Sequence, residues 1–303
     1  MEIIDRIKEN FNRGYFDKAM IINELPEEYP AWTIKRNDWI GVAVPLDTYA
    51  TFSERFSEVK IYTAPNTEIN GKVYDLLMLT CTDLELRNEF AVICSQFVLP
   101  GSNGVSRNEL IEDPKKWWTN WKFLLGNVNT SRSAYPVLGE LTVLEKLILA
   151  NKPAKWTGAN AATHDIEVPD YSYEVKSTTQ RTGYEVTISS LYQMNKSGKT
   201  LDLVFCRFEP SVLGRSVDDI IDSLVKNGYP EAELESSLKK LDLEKGCTAR
   251  ATKFKLLEMK IFPVDDSFPA VTEKSFIGEK IPVCVKNFSY TLDLTGIHSK
   301  NTL

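Results

Sequence analysis

Between residues 135 and 208 the hydrophobic period of the chain switches from that of a helix to that of strands and back. YPVLGELTVLEKLILAN (135–151) repeats apolar side chains every three or four residues, as an amphipathic helix does. THDIEVPDYSYEVKSTT (163–179) then reads as two short strands and a turn, followed by a strand GYEVTIS, a short helical piece SLYQMN and a hydrophobic strand TLDLVFCRF. Helix, three strands, helix, strand is an α/β arrangement, which requires a sheet with helices packed on it.

The flanking segments carry their own local signals. In residues 1–130 a helix precedes strands, and Asn70-Gly71 inside VKIYTAPNTEINGKVYDLLMLTCT marks a hairpin turn. Asp83 and Asp113 are placed to cap the helices that follow them. After residue 210, Ser216 and Asp219 suit a capping box, Asn227-Gly228 a helix stop, and EAELESSLKKL a second helix. The chain closes with the β-like runs FKLLEMKIF and IPVCVKNFSYTLDL. The expected zones are therefore an N-terminal α+β region over 1–130, a core over 131–210, and C-terminal helices and strands over 211–303. The last strands are expected to pack back on the N-terminal region.

Composition excludes several classes of function. No apolar run approaches the ~18 to 20 residues that span a bilayer, and the charged start does not resemble a signal peptide, so a cytoplasmic protein with no membrane partner is expected. The five cysteines are scattered without a C-x-x-C pair and read as free thiols. With only His164 and His298, any metal must be held mainly by oxygen, which favours Mg, Mn or Ca. The net charge of -6 does not advertise a nucleic-acid binder, although a local basic groove is compatible with it.

The hairpin is the most charged part of this core. Side chains at i and i+2 of a strand share a face, so Glu174 and Lys176 point one way and Tyr173 and Val175 the other. A four-residue turn over Pro169 to Ser172 would pair Val168 with Tyr173 and set Asp165 across from Lys176. Glu167 then opposes Glu174, a like-charge pair that costs a few tenths to about 1 kcal/mol. Two readings follow: a solvated charged face, or a divalent cation between Asp165 and Glu174 with the lysine beside it.

The preceding helix bears on the choice. At about 100° per residue, Leu141, Val143, Leu144, Leu147 and Ile148 surround Glu140, whereas Thr142 and Lys146 fall on the far face. A carboxylate aimed at a core is costly unless it is paired, protonated or metal-bound. The competing explanation is a helix-start acid one turn after Pro136, where the helix dipole favours negative charge. Glu145, at the edge of the same stripe, is the fallback.

An inward-facing acid on a helix, an acid on one strand and acid-x-lysine on the next resemble the signature of the PD-(D/E)XK nuclease superfamily. The context GELTVLEKLI, KWTGANAATHDIEV and YEVKST is similar to bacterial PD-(D/E)XK-motif proteins associated with restriction and phage-defence operons. The literal Pro169-Asp170 lies too close to Glu174 to leave room for two paired strands, so the aspartate role passes to Asp165, with His164 in place of the proline. The resemblance implies a restriction-endonuclease-like αβββαβ core, a central mixed sheet flanked by helices, with N-terminal α+β and C-terminal helical and β elaborations. It implies DNA as substrate and Mg²⁺ as cofactor, with Mn²⁺ able to substitute. The ligands would be Asp165, Glu174, the Val175 carbonyl and Glu140, with Lys176 acting on the attacking water.

Further residues have weaker claims. Gln193 matches a glutamine that follows the lysine strand in related nucleases, and Ser177 and Thr178 are hydroxyls able to donate to a phosphate. KKWWTNWK mixes lysines with tryptophans, as a nucleic-acid grip does, but Trp at this helical spacing also makes a core stripe. Arg250 to Lys255 is a further basic stretch. Two functions stay open: a Mg²⁺-dependent DNA endonuclease of the restriction type, or a nuclease-fold subunit recruited by a partner ATPase or helicase. Pairing into a homodimer is compatible with either.

Overall fold

In the computed structural model the described residues are 2–13, 18–48, 50–124, 134–160, 162–196, 198–279, 285, 288–300 and 303. Cys284 and most of the expected strand start at 281–287 lie outside them. The chain forms two compact units, Met1–Arg132 with Lys245–Thr248 and Ser133–Glu244 with Ala249–Leu303. No described helix is long and apolar enough to cross a membrane.

The first unit contains α1 (Ile3–Asn12), β1 (Lys18–Ile21), β2 (Trp32–Lys35), β3 (Ile40–Pro45), β4 (Ser53–Phe56), β5 (Val59–Ile69), β6 (Lys72–Cys81), α2 (Arg87–Val98), α3 (Val105–Glu112) and α4 (Pro114–Leu124). Its strands form one antiparallel sheet in the order β1-β2-β3-β6-β5-β4. Asn70 and Gly71 both take positive φ, 52° and 80°, as a two-residue turn between twisted strands requires. Asp83 caps a 3-10 turn, Leu84–Leu86, that leads into α2, and Asp113 Oδ1 accepts Lys116 N–H at 2.9 Å at the start of α4. The α4 tryptophans serve the core: Trp118 is buried, and Trp117 packs edge-on to Phe97 at 5.2 Å and against Trp121 at 5.7 Å.

The second unit contains α5 (Tyr135–Leu149), β7 (Lys155–Trp156), β8 (Ile166–Glu167), β9 (Tyr171–Thr178), β10 (Glu185–Ile188), β11 (Thr200–Arg215), α6 (Val217–Lys226) and α7 (Glu231–Lys240). It is completed by β12 (Phe254–Pro263) and β13 (Tyr290–Asp293), which follow the helical turn α8 (Thr248–Ala251). A mixed five-stranded sheet runs β12-β11-β9-β8-β7, with β9 and β11 parallel. A helix–sheet layer is thus present, but two features depart from the expected αβββαβ order. The expected third strand, β10, leaves the sheet and pairs with β13, and SLYQMN forms a 3-10 turn, Leu191–Met194. The residue-210 boundary falls within β11, which pairs with β12 from Asp202 to Pro210 and again at Arg215.

Helix α5 packs on β9 and α6. This double coverage explains why Thr142, expected on a far face, is buried, with its hydroxyl donating to Leu138 O at 2.6 Å. Gly139 permits the close approach: a Cβ there would lie 2.0 Å from Ser177 Oγ on β9. A mid-helix glycine costs roughly 0.5–1 kcal/mol relative to alanine, and contact with the sheet offsets it. The capping box of Ser216 and Asp219 starts α6, and Gly228 at φ 88° follows its end.

Candidate active site

The β8–β9 hairpin sets the site through its register. Ile166 pairs with Tyr173 and Glu167 with Ser172, while Val168 N–H donates to Tyr171 O at 2.9 Å across Pro169-Asp170. The turn is therefore two residues shorter than the four-residue turn expected, and the partners shift by two. Glu167 does not oppose Glu174: both its carboxylate oxygens accept the Ser172 hydroxyl at 3.0 Å, and it pairs with Lys199. The like-charge conflict anticipated there is absent because the tight turn is satisfied by its own hydrogen bond. Asp170 is left exposed in the turn.

The shift brings Asp165 to Glu174. Asp165 N–H donates to Tyr173 O at 3.1 Å, and Asp165 Oδ2 accepts Val175 N–H at 2.7 Å. Glu174 is 1% exposed because β9 lies between β8 and β11 and is covered on both faces. Its Oε1 lies 2.9 Å from Lys176 Nζ, while its Oε2 is buried without a hydrogen-bond partner among the described residues. Lys176 Nζ also makes a long 3.4 Å contact with Gln193 Oε1, which accepts Ser189 N–H at 2.8 Å.

Glu140 reaches the same cluster from α5. Its Oε2 accepts the Trp156 indole N–H at 2.6 Å, and Trp156 N–H donates to the Tyr229 hydroxyl at 3.0 Å. Gly158 fills the corner between the acids: a Cβ there would lie 2.7 Å from Glu140 Oε2 and 2.8 Å from Asp165 Oδ1. Trp156 and Gly158 escape sequence reasoning because neither carries an ionisable group, and only the fold puts them against Glu140.

The electrostatics are those of crowded acids in a poorly solvated place. Burial, then the neighbouring Asp165, pushes the Glu174 carboxyl up to about 8, against which Lys176 acts. Burial and Asp165 hold Glu140 well above the ordinary carboxylate range, although the Trp156 N–H favours its charged form. Asp165 is raised by burial, opposed first by the Val175 N–H.

The remaining sequence candidates separate. Ser177 alternates to the opposite face of β9 from Lys176, where its hydroxyl is buried against Gly139 without a partner among the described residues. Thr178 shares the Lys176 face, and its hydroxyl accepts Gln180 N–H at 3.1 Å. The fallback acid Glu145 points elsewhere, into a bidentate pair with Arg215 at 2.7 and 2.9 Å that lowers its pKa despite burial. Arg250 is buried and paired with Asp218 and Glu235, which removes it as a phosphate contact.

The fit to a divalent cation rests on donor chemistry. No three described His, Cys, Asp or Glu side chains are grouped so as to hold a metal ion as they stand. Yet Glu174 Oε2 is a buried oxygen with no partner among the described residues, its acid neighbours are raised with it, and the side-chain donors are all carboxylates, the set that suits Mg²⁺ or Mn²⁺.

A mixed α/β unit with an acid on a helix, an acid at one strand and acid-x-lysine on its neighbour defines a PD-(D/E)XK protein. The chain belongs to the family described as "Putative PD-(D/E)XK family member, (DUF4420)", whose model matches residues 32–295. No curated protein and no solved structure matches it. Superfamily members are generally nucleases and typically use divalent metal ions, so membership carries a nuclease-type function.

Proposed function

We propose that the protein is a Mg²⁺-dependent DNA endonuclease, with Mn²⁺ able to substitute. The observation that carries this reading is Glu174, a buried acid with one oxygen on Lys176 and the other without a partner among the described residues, beside Asp165. Asp165 and Glu174 would hold the cation with the Val175 carbonyl, and Glu140 directly or through water. Bound there, the ion would neutralise charge building on the phosphate and make water easier to deprotonate. The chain's own contribution is orientation. Val175 N–H fixes one oxygen of Asp165, and the Trp156 indole fixes one of Glu140.

Lys176, held between Glu174 and Gln193, would orient or deprotonate the attacking water and offset negative charge near the scissile phosphate. Gln193 and Thr178 share its surroundings and would contact the substrate; Ser177 would act from beneath α5 by supporting β9. The net charge of -6 supports recruitment to DNA by a partner ATPase or helicase-like subunit, and a restriction or phage-defence setting rests on the family resemblance. The test is supercoiled plasmid incubated with the protein in Mg²⁺, Mn²⁺ or chelator. Nicking or linearisation in both cations and none in chelator is expected; equal cutting in chelator would overturn the metal-dependent reading.

A further inference from the structure

Trp156 serves two features at once. Its indole N–H holds Glu140, and the residue also lines an open cleft of about 390 Å³ between β7, the 3-10 turn Gly158–Asn160 and α7. Thr157 and Gly158 both donate backbone N–H groups to Asp165 O, at 2.8 and 3.0 Å. The segment from Trp156 to Gly158 is therefore a wall shared by the cleft and the acids.

The lining narrows the chemistry of an occupant. Trp156, Tyr229 and Ala232 supply apolar surface, and Asn160, Glu233 and Lys240 supply polar edges. Glu233 balances Lys240, whose ammonium is already engaged by Asn160 Oδ1, so the described lining of the cleft has no surplus positive charge for a phosphate. A wholly apolar occupant would strand the polar edges. A flat, neutral molecule with donors and acceptors along its rim satisfies both, and a nucleobase has that chemistry. The size also lies within the range of small-ligand sites.

We infer that this cleft receives one nucleobase of the DNA strand whose phosphodiester lies at Asp165 and Glu174. The inference rests on the nuclease reading and deepens it: the strand is gripped by a base beside the point of cutting as well as by its phosphate. The base comes either from a single strand or from a duplex that releases it, and the chemistry of the cleft is the same for both.

The experiment is an abasic scan with the full chain. Fluorescein-labelled single-stranded and duplex oligonucleotides, each with one abasic position moved along the strand, are titrated in chelator and read by anisotropy. Loss of one base position is expected to weaken binding about tenfold in the wild type. Ala232→Phe and Ser236→Phe, which fill the cleft from α7, should bind intact DNA about tenfold more weakly and lose the dependence on that position. An effect on single strands alone, or on both probes, supports the cleft and identifies the source of the base.

A flat scan, or filled variants that bind and scan like the wild type, overturns the inference. A flat scan with normal cutting sinks the cleft and leaves the nuclease. A position-dependent scan without cutting in any cation sinks cutting by this chain alone and leaves the base site, and no binding to either probe overturns the base site.

Discussion

Asp165 Oδ2 accepts the backbone N–H of Val175, the residue between Glu174 and Lys176, at 2.7 Å. One hydrogen bond thus ties the aspartate to the acid-x-lysine strand and sets the two acids against each other across the hairpin. Because the partner is a backbone group, the contact depends on strand register more than on side-chain identity. The predictions below follow from that crowding.

Gly158→Ala places a methyl 2.7 Å from Glu140 Oε2 and 2.8 Å from Asp165 Oδ1, so the carboxylates must part. Displacing reacting groups by about 1 Å costs on the order of 100-fold in rate. Plasmid cutting should fall by that order while thermal unfolding moves by only a few degrees. Unchanged cutting would show that the corner beside Gly158 takes no part in the reaction.

The two glutamates of α5 should part company on substitution. Glu145→Gln breaks the pair with the half-exposed Arg215 and should cost about 1–2 kcal/mol in urea unfolding with little change in cutting rate. Glu140→Gln removes an acid from a crowd of like charges. It should leave metal-free stability equal or higher while cutting falls at least about tenfold. The reverse assignment of effects would move the site from Glu140 to Glu145.

The metal-free protein should lose stability as pH rises. Glu174 titrates at about 8 in the folded chain against 4.5 as its ordinary value. A carboxyl raised in the native state favours folding while protonated. Its contribution is complete below about pH 4.5 and is lost as pH climbs through about 8. Melting in chelator should fall from about pH 5 to about pH 8 by the equivalent of a few kcal/mol, and Glu174→Gln should flatten that slope. Mg²⁺ or Mn²⁺ at pH 8 should raise the wild-type midpoint and leave Glu174→Gln nearly unmoved; a pH-independent midpoint would contradict the buried-acid description.

Local chemistry carried much of this structure into view. Asn70-Gly71, the Asp113 cap, the Ser216–Asp219 capping box and the shared face of Glu174 and Lys176 depend on neighbours in sequence, and each appears as the residues predict; Asp83 caps, but it caps the 3-10 turn that precedes α2 and not α2 itself. Pairings between distant segments were hidden. The shift of two in the hairpin came from the Val168–Tyr171 turn, and the departure of β10 to β13 requires a strand about a hundred residues away. Glu145 was ambiguous on the helical wheel because Arg215, which neutralises it, arrives from the end of β11. Trp156 and Gly158 were silent for the same reason: their role is contact with Glu140, and contact is a property of the fold.

The central claim is tested most directly by supercoiled plasmid in Mg²⁺ with the wild type, Asp165→Ala, Lys176→Ala and Asp170→Ala proteins side by side. Cutting should persist in the wild type and in Asp170→Ala, whose side chain lies in the exposed turn. It should fall by on the order of 100-fold or more in Asp165→Ala and Lys176→Ala, while Lys176→Ala keeps its affinity for DNA. A folded Lys176→Ala protein that cuts at the wild-type rate would contradict the account.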